Sequence, residues 1–124
     1  MSLKYIYVAG PITKGDQALN VRMGMDAATL LMDNGYIPFV PQLSWFWHLC
    51  NPADYEQWMK LDLEWIKRCD ALLRLPGESK GADVEVTHAM QLKLQVFAMT
   101  AVDFLRIDRL QRNQDEERER DKEA

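Results

Sequence analysis

A run of bulky apolar residues near the start of the chain restricts the fold more than any other feature of the sequence. Residues 3–9 are aliphatic or aromatic apart from one lysine, and the turn-forming pair Gly10-Pro11 ends the run. A strand that is apolar along its whole length, and not only at alternate positions, is typical of a parallel sheet with helices on both faces. The run therefore predicts a central strand that is buried on both faces.

Strand and helix patterns alternate along the rest of the chain. Further strands are predicted at residues 36–40, 71–75 and 95–100, and helices at 16–34, from 51 onward, after the loop 76–82, and at 101–110. The helix at 16–34 is expected to have Asp16 as its cap and a small inward stripe formed by Gly24, Ala27, Ala28 and Leu31. Pro38 places the second strand at an edge of the sheet. Because crossovers between parallel strands are right-handed, this order predicts an α/β fold, namely a flavodoxin-like three-layer sandwich with four to five parallel strands in the order 2-1-3-4(-5).

Length and composition predict one globular domain. The 124 residues are 48% hydrophobic and carry a net charge of −4, which disfavours binding to a nucleic acid polymer. No apolar stretch approaches the roughly 20 residues that span a bilayer. We expect no signal peptide, because a strand pattern begins almost at the amino terminus. We also expect Cys50 and Cys69 to be buried reduced thiols, so the sequence indicates a cytoplasmic protein without a membrane partner. The domain is assigned to residues 1–110, and residues 111–124 to a charged tail or helix extension.

One acidic residue, Asp62, occupies a position that a carboxylate normally avoids. The helix predicted from Asn51, its expected N-cap, has an apolar stripe at helical spacing. The members of the stripe are Tyr55, Trp58, Met59, Trp65, Ile66 and Cys69. Asp62 falls in the middle of it. Because an ionised side chain is costly to bury, Asp62 is expected to be partnered, protonated or placed in a functional cleft.

The segment after this helix has the features of an anion site. The strand at residues 71–75 is followed by the Gly-containing loop 76–82 and by a helix that carries Glu85 in its early turns. Ligands of open parallel sheets bind at loops that leave the carboxyl ends of strands, and the free amides of a helix start favour an anion. The predicted strand order brings the Gly10 loop beside the loop 76–82, with Asp62 and Glu85 nearby.

Four segments, in this order along the chain, resemble the nucleoside 2-deoxyribosyltransferase superfamily. They are Tyr5-Ile6-Tyr7-Val8-Ala9-Gly10-Pro11, Asp62-Leu63-Glu64-Trp65-Ile66, Ala71-Leu72-Leu73 and Ser79-x-Gly81-x-x-x-Glu85. The superfamily also contains nucleoside 5'-monophosphate N-glycosidases and many small uncharacterised bacterial and phage members. The resemblance covers about residues 3–99.

The resemblance implies a catalytic set of three residues. Glu85 matches the family's catalytic glutamate, which forms a covalent glycosyl-enzyme intermediate, and Tyr7 matches a tyrosine that holds this carboxylate by a hydrogen bond. Asp62 is the candidate for delivering a proton to the base or for orienting the sugar. The residues' own chemistry agrees, because two carboxylates in one cleft suit cleavage at an acetal-like carbon. The helix dipole is expected to keep Glu85 ionised.

Six further residues are predicted to bind substrate. Gly10 and Pro11 leave the first strand, Asn20 and Arg22 lie in the first turns of the next helix, and Ser79 and Gly81 lie in the loop before Glu85. A serine six residues before the glutamate resembles the monophosphate glycosidases, where it faces phosphate. The transferases of free nucleosides commonly have aspartate there. No cofactor or metal is expected, since the chain shows no cluster of metal-ligating residues.

The aromatic segment at residues 41–50 has two interpretations. It is predicted to be a loop, and its aromatic residues Trp45, Phe46 and Trp47 must be buried somewhere. They either cap the core or a subunit contact, or they form a wall against which a nucleobase stacks. His48 beside them could touch a ligand. Because the family completes its active sites with neighbouring subunits, the resemblance implies a homo-oligomer, a dimer or a tetramer.

The sequence therefore favours an enzyme that cleaves or transfers the N-glycosidic bond of a nucleoside or nucleoside 5'-monophosphate through a glutamate nucleophile. Its expected partner is a small-molecule nucleoside or nucleotide. The alternative is a non-catalytic nucleotide-binding or sensor module on the same fold. A structural partner protein that uses its aromatic segment is a third hypothesis.

Overall fold

The computed structural model of the protein describes residues 3–123, which form a three-layer α/β fold. The strands are β1 (Tyr5–Ala9), β2 (Ile37–Phe39), β3 (Ala71–Arg74) and β4 (Gln95–Ala98), and the helices are α1 (Gln17–Asp33), α2 (Ser44–Cys50), α3 (Tyr55–Ile66), α4 (Lys80–Gln91) and α5 (Ala101–Glu123). A short 3-10 turn, Pro41–Leu43, precedes α2. The strands pair in parallel in the order β2-β1-β3-β4, so the predicted flavodoxin-like fold and its strand order are confirmed.

Strand β1 lies at the centre of the core and buries both of its faces. Ile6 and Val8 pack with residues of α1 and α5, whereas Tyr7 and Ala9 pack with residues of α3 and α4 on the opposite side. All four side chains are fully buried, as the unbroken apolar run predicts. Helices α1 and α5 therefore cover one face of the sheet, and α3 and α4 cover the other.

Helix α1 packs closely on the sheet because its inward stripe is small. The predicted N-cap, Asp16, accepts a hydrogen bond from the backbone of Leu19 at 3.0 Å. The predicted inward residues are all buried: Gly24, Ala27, Ala28 and Leu31. A β-carbon at Gly24 would lie 2.6 Å from Cδ of the buried Gln42, so only glycine allows this approach between α1 and the 3-10 turn.

Helix α3 begins three residues later than the sequence predicts. Its N-cap is Asp54 and not Asn51. The backbone N–H of Asp54 donates to the side chain of Gln57 at 2.9 Å, which is one half of a capping box. This bond fixes the helix start, and Asn51 instead ends the preceding helix as its C-cap.

The aromatic segment is helical, so its prediction as a loop is wrong. Residues 41–50 form the 3-10 turn and α2, and no residue of α2 is buried. Phe46 and Trp47 are 65% and 53% exposed, contrary to the expectation that these aromatic residues are covered. Cys69 is buried as predicted, but Cys50, the last residue of this surface helix, is exposed.

Helix α5 continues through the charged end of the chain to Glu123. Ion pairs at i,i+3 spacing lie along this part, such as Arg118–Asp115 at 3.7 Å and Lys122–Glu119 at 3.4 Å. Of the two options that the composition left open, the structure adopts the helix extension. Nowhere in residues 3–123 is there a helix with the length and apolar character to cross a membrane.

Candidate active site

A cavity of about 730 Å³ opens beyond the carboxyl ends of β1 and β3. Helices α2 and α3, the loop after β1 and the loop that leads into α4 form its wall. The lining residues are Gly10, Ile12, Thr13, Lys14, Gln17, Ser44, Trp45, His48, Leu49, Tyr55, Trp58, Met59, Asp62, Glu78, Ser79, Lys80, Gly81, Ala82 and Glu85. This volume suits a small organic molecule, and open parallel sheets bind their ligands at this position.

Two acidic side chains, Asp62 and Glu85, reach the cavity from different helices. Asp62 lies on α3, one helical turn after Trp58, which also lines the cavity. Glu85 lies on α4, in the second turn after the N-cap Ser79. The two acidic residues are almost fully buried, with 7% and 5% of their surface exposed. The two carboxyls therefore share one shielded site.

Burial changes the acidity of both carboxyls. It raises the pKa of Asp62 to about 7. It also raises the pKa of Glu85 to about 8, although the hydrogen bond from Tyr7 and the charge of Arg74 act in the opposite direction. The raised pKa of Glu85 opposes the expectation that the helix dipole keeps this carboxyl ionised. The dipole acts mainly within the first turn of a helix, and Glu85 lies beyond it in a buried position.

Tyr7 holds Glu85 from the central strand. Its hydroxyl donates a hydrogen bond to Oε2 of Glu85. The tyrosine ring stacks on Phe39 with centroids 5.5 Å apart, and Phe39 stacks on Trp65 at 4.8 Å. Burial and the adjacent Glu85 charge raise the pKa of the Tyr7 hydroxyl well above its usual value. The hydroxyl therefore remains a donor at all physiological pH values and orients the Glu85 carboxyl.

The loop between β3 and α4 presents polar groups to the cavity. Ser79 Oγ caps α4 by accepting a hydrogen bond from the backbone N–H of Ala82 at 3.1 Å. Arg74 holds the loop in place, since its guanidinium donates to the Gly77 carbonyl at 2.9 Å and to Asp83 Oδ1 at 3.1 Å. Gly81 is close to the opposite wall, because a β-carbon here would lie 3.4 Å from the Tyr55 hydroxyl.

Comparison with known proteins identifies the family of this chain. A family model described as a domain of unknown function, DUF4406, matches residues 4–98. The chain belongs to the DUF4406 family. No curated protein matches the chain.

Several solved structures share the fold of this DUF4406 domain, and one of them is an enzyme. It is a 2-desoxiribosyltransferase from Leishmania mexicana, with a TM-score of 0.54 and 23% sequence identity over 75% of the present chain. The match covers 61% of the length of that enzyme. The DUF4406 domain therefore has a deoxyribosyltransferase-like fold.

Three of the six predicted substrate-binding residues of the DUF4406 domain, Gly10, Ser79 and Gly81, line the cavity. Asn20 lies outside the lining, and its side-chain amide donates to the carbonyls of Ile12 and Lys14 at 3.2 and 2.7 Å. Asn20 thus stabilises the loop after β1 by holding Ile12 and Lys14, which both line the cavity.

The other two predicted binding residues, Pro11 and Arg22, are also absent from the lining. Pro11 packs against Gly77, where a β-carbon would lie 2.7 Å from Pro11 Cγ. Arg22 is exposed and pairs with Asp26 at 3.8 Å. It precedes the inward-facing Gly24 by two residues, which is about 200° around a helix, so it faces away from the sheet. Its position gives no support to a binding role.

Two lysines that were not among the predicted site residues, Lys14 and Lys80, line the cavity of the DUF4406 domain. Lys14 follows Gly10 in the loop after β1, and Lys80 is the first residue of α4. Lys14 pairs with Glu78 at 2.5 Å, which connects the two loops at the carboxyl ends of β1 and β3. The sequence could have indicated this role. Lys14 follows Gly10 in the loop predicted to bind substrate, and Lys80 lies in the loop 76–82 predicted to bind an anion.

Aromatic residues form another part of the cavity wall. Trp45 and Trp58 line the cavity, whereas Phe46 and Trp47 do not. Trp47 packs edge-on against Trp58, with centroids 4.9 Å apart and an interplanar angle of 72°. Of the aromatic residues Trp45, Phe46 and Trp47, only Trp45 therefore lines the cavity, and Trp58 of α3 lines it as well. Among residues 3–123, no three His, Cys, Asp or Glu side chains are grouped so as to hold a metal ion.

Proposed function

We propose that this DUF4406 domain cleaves the N-glycosidic bond of a nucleoside 5'-monophosphate, with water or a second base as the acceptor of the sugar. The proposal rests on one observation: Asp62 and Glu85, both almost fully buried, line the same cavity. Glycosidic bonds break through an oxocarbenium-like transition state, for which a pair of carboxyl groups is the usual protein machinery. The deoxyribosyltransferase-like fold supports the same class of reaction.

Glu85 is the nucleophile and Asp62 the acid in this reaction. The Glu85 carboxylate attacks C1' of the sugar while the bond between C1' and the base nitrogen breaks, and Asp62 gives its proton to the departing base. Water then attacks C1' of the glycosyl ester, transferring a proton to the Asp62 carboxylate as Glu85 departs. In a transfer reaction, a nitrogen of a second base takes the place of water.

The reaction requires a proton on Asp62 and none on Glu85. The pKa of Asp62 is about 7 and that of Glu85 about 8, so the pair holds one proton in total near neutral pH. The Tyr7 hydrogen bond and the Arg74 charge both favour the ionised form of Glu85. We propose that Tyr7 acts as a positioning residue that makes the nucleophilic form accessible.

A 5'-phosphate is favoured over a free 5'-hydroxyl because of the groups at the loop end of the cavity. Ser79 and the small residue Gly81 are placed there together with the amino groups of Lys14 and Lys80. Cations and helix-start amides are the usual ligands of a phosphate. Lys14 is paired with the exposed Glu78, so a phosphate replaces one anionic partner of this lysine with another.

The test is release of free base from a panel of 2'-deoxynucleoside and ribonucleoside 5'-monophosphates, with the corresponding nucleosides alongside. We expect cleavage of at least one monophosphate and loss of turnover in Glu85→Gln, which keeps the side-chain shape. Glu64→Gln is the matched control, because Glu64 lies exposed on α3 and pairs with Lys67 at 2.8 Å. Absence of turnover across the panel, or undiminished turnover in Glu85→Gln, contradicts the proposal.

One observation favours a second candidate, a nucleotide-binding module without turnover. With a pKa of about 8, Glu85 is mostly protonated at neutral pH and is then no nucleophile. This candidate predicts saturable binding of a nucleotide without base release, and binding that persists in Glu85→Gln. Calorimetric titration of both proteins, followed by chromatography of the nucleotide, separates it from the enzyme.

We also propose that the domain forms a homo-oligomer in the cytoplasm, a dimer or a tetramer. Helix α2 carries Phe46, Trp47 and Leu49 at exposures of 65%, 53% and 59%, and exposed apolar groups of this size mark interaction sites. Both cysteines are free, which suits a reducing compartment. Light scattering after size exclusion tests the assembly, and a monomer at micromolar concentration contradicts it.

A further inference from the structure

We propose that His48 is a specificity residue that donates a hydrogen bond from Nε2 to an exocyclic oxygen of the substrate base. This inference rests on the proposed N-glycosidic function, since it assigns the base that the same cavity accepts. Its basis is the hydrogen bonding of the His48 ring, which restricts the ring to one role.

Two donors converge on the same nitrogen of His48. The indole N–H of Trp58 donates to Nδ1 at 2.9 Å, and the backbone N–H of Ala53 donates to the same atom at 3.2 Å. Neither an indole nor an amide nitrogen accepts a hydrogen bond. Nδ1 must therefore carry its lone pair, and the ring proton lies on Nε2.

The surroundings of the ring keep it in this state. A proton on Nδ1 would set an N–H against the N–H groups of Ala53 and Trp58, so these contacts select the tautomer with Nε2–H. Trp58 also packs edge-on against the ring, with centroids 5.9 Å apart at 74°. The imidazole therefore offers one directed donor and no acceptor through Nε2.

His48 stands close to the group that is proposed to protonate the leaving base. The indole N–H of Trp58 donates a hydrogen bond to His48. Trp58 precedes Asp62 by one turn on the same face of α3, about 6 Å along the helix axis. All three side chains line the cavity. A base that receives the proton of Asp62 therefore lies beside Trp58, the residue that His48 contacts.

A fixed donor discriminates between bases by the group that faces it. An exocyclic oxygen accepts the Nε2–H bond, whereas an exocyclic amino group meets it with a second donor. We therefore expect preference for a 6-oxopurine over a 6-aminopurine, and for a 4-oxopyrimidine over a 4-aminopyrimidine. His48 is exposed, so water competes with the base for the Nε2–H donor. The expected preference for the oxo base is therefore about five- to tenfold.

The tautomer is measured without any ligand. Long-range proton–nitrogen correlation spectra of the labelled protein distinguish the two ring nitrogens, and His88→Gln assigns the signals because the chain has 2 histidines. We expect the proton on Nε2 in the intact protein. We also expect Trp58→Phe to shift the Nδ1 resonance and Trp47→Phe to leave it in place, since Trp47 packs on the ring of Trp58 and not on Nδ1 of His48. A proton on Nδ1 overturns the inference.

The selectivity is measured on matched nucleotide pairs, namely deoxyinosine against deoxyadenosine monophosphate and deoxyuridine against deoxycytidine monophosphate. We expect His48→Phe to reduce the oxo-to-amino ratio of kcat/KM by about five- to tenfold, mainly through KM. An oxo-to-amino ratio of kcat/KM that is near unity in the wild-type protein overturns the inference. So does a wild-type preference that is unchanged in His48→Phe.

The same nucleotides are titrated calorimetrically into Glu85→Gln, which tests His48 independently of turnover. Cleavage by the wild-type protein without a base preference contradicts the role of His48 and leaves the proposed N-glycosidic function standing. A binding preference without cleavage sinks the proposed enzyme but supports His48 as a base reader. Binding of neither member of either pair overturns both.

Discussion

The hydroxyl of Tyr7 donates a hydrogen bond to Oε2 of Glu85, and this bond joins the central strand to helix α4 across 78 positions of sequence. Both residues are buried, and the phenol cannot ionise because burial and the Glu85 charge raise its pKa. Tyr7 therefore stabilises the ionised form of a carboxyl whose burial favours the protonated form. The two effects together set how readily Glu85 becomes a nucleophile.

Tyr7→Phe is expected to raise the pKa of Glu85, since the hydrogen bond from Tyr7 lowers it. The shift is best measured by carbon NMR titration of the Glu85 carboxyl in the Asp62→Asn background, where only one carboxyl of the pair titrates.

In the otherwise intact protein, Tyr7→Phe is expected to reduce kcat by about ten- to hundredfold, which corresponds to the loss of one hydrogen bond to a charged group. Tyr5→Phe is the control, because Tyr5 lies on the same strand with 45% of its surface exposed. A Glu85 pKa that stays put or falls in Tyr7→Phe contradicts the positioning role.

The pH dependence of kcat/KM is expected to be bell-shaped. With pKa values of about 7 for Asp62 and about 8 for Glu85, the pair holds two protons below this range and none above it. The active form holds one proton, so the rate peaks between the two values and falls on either side.

Asp62→Asn tests the assignment of the acid. Without the acid the rate is expected to fall by about a hundredfold or more, and the alkaline limb of the pH profile disappears. Only the ionisation of Glu85 then matters, so the residual rate rises with pH and reaches a plateau. Persistence of the alkaline limb in Asp62→Asn assigns the proton donor to another group.

Much of the fold was predictable because the patterns that specify it are local. The apolar run at residues 3–9, interrupted only by Lys4, predicts the central strand. The cap at Asp16 and the small inward stripe of α1 predict that helix. The unusual position of Asp62 within an apolar stripe pointed to the cavity. In each case, a requirement for burial leaves a direct trace in residue type and spacing.

The errors arise where the structure depends on features that residue type and spacing do not display. Helix α2 has no buried residue, so it lacks an inward stripe from which a helix could be recognised. The start of α3 at Asp54 depends on a side chain, Gln57, that returns to the backbone. Likewise, the raised pKa of Glu85 depends on how deeply α4 packs, which the sequence does not display.

Ser79→Asp tests the preference for a 5'-phosphate. Aspartate is as good an N-cap as serine, so α4 should keep its cap and the melting temperature should change little. The added negative charge in the cavity is expected to repel a phosphate, which raises KM for a monophosphate by about tenfold or more relative to the nucleoside. Ser79→Ala separates the two roles, since it removes the cap, at about 1 kcal/mol of stability, without adding charge. An unchanged ratio of KM values in Ser79→Asp contradicts phosphate binding at this loop.

Stability is expected to depend on pH through Asp62. Burial raises the pKa of this carboxyl from 3.8 to about 7 in the folded protein, so between these values the folded state holds a proton that the unfolded state has released. The free energy of unfolding therefore falls as pH rises through this window, and the contribution of Asp62 is fully present only below it. The free energy of unfolding falls by about 1.4 kcal/mol at most for each pH unit in this window.

Asp62→Asn removes this dependence. The stability of Asp62→Asn relative to the wild-type protein should therefore grow by a few kcal/mol between about pH 4 and pH 7. Urea unfolding across that range measures the difference, with Asp26→Asn as the control because Asp26 is exposed on α1. Parallel curves for the wild-type protein and Asp62→Asn would mean that Asp62 enters the folded state already ionised, and the proposed proton donor would be lost with it.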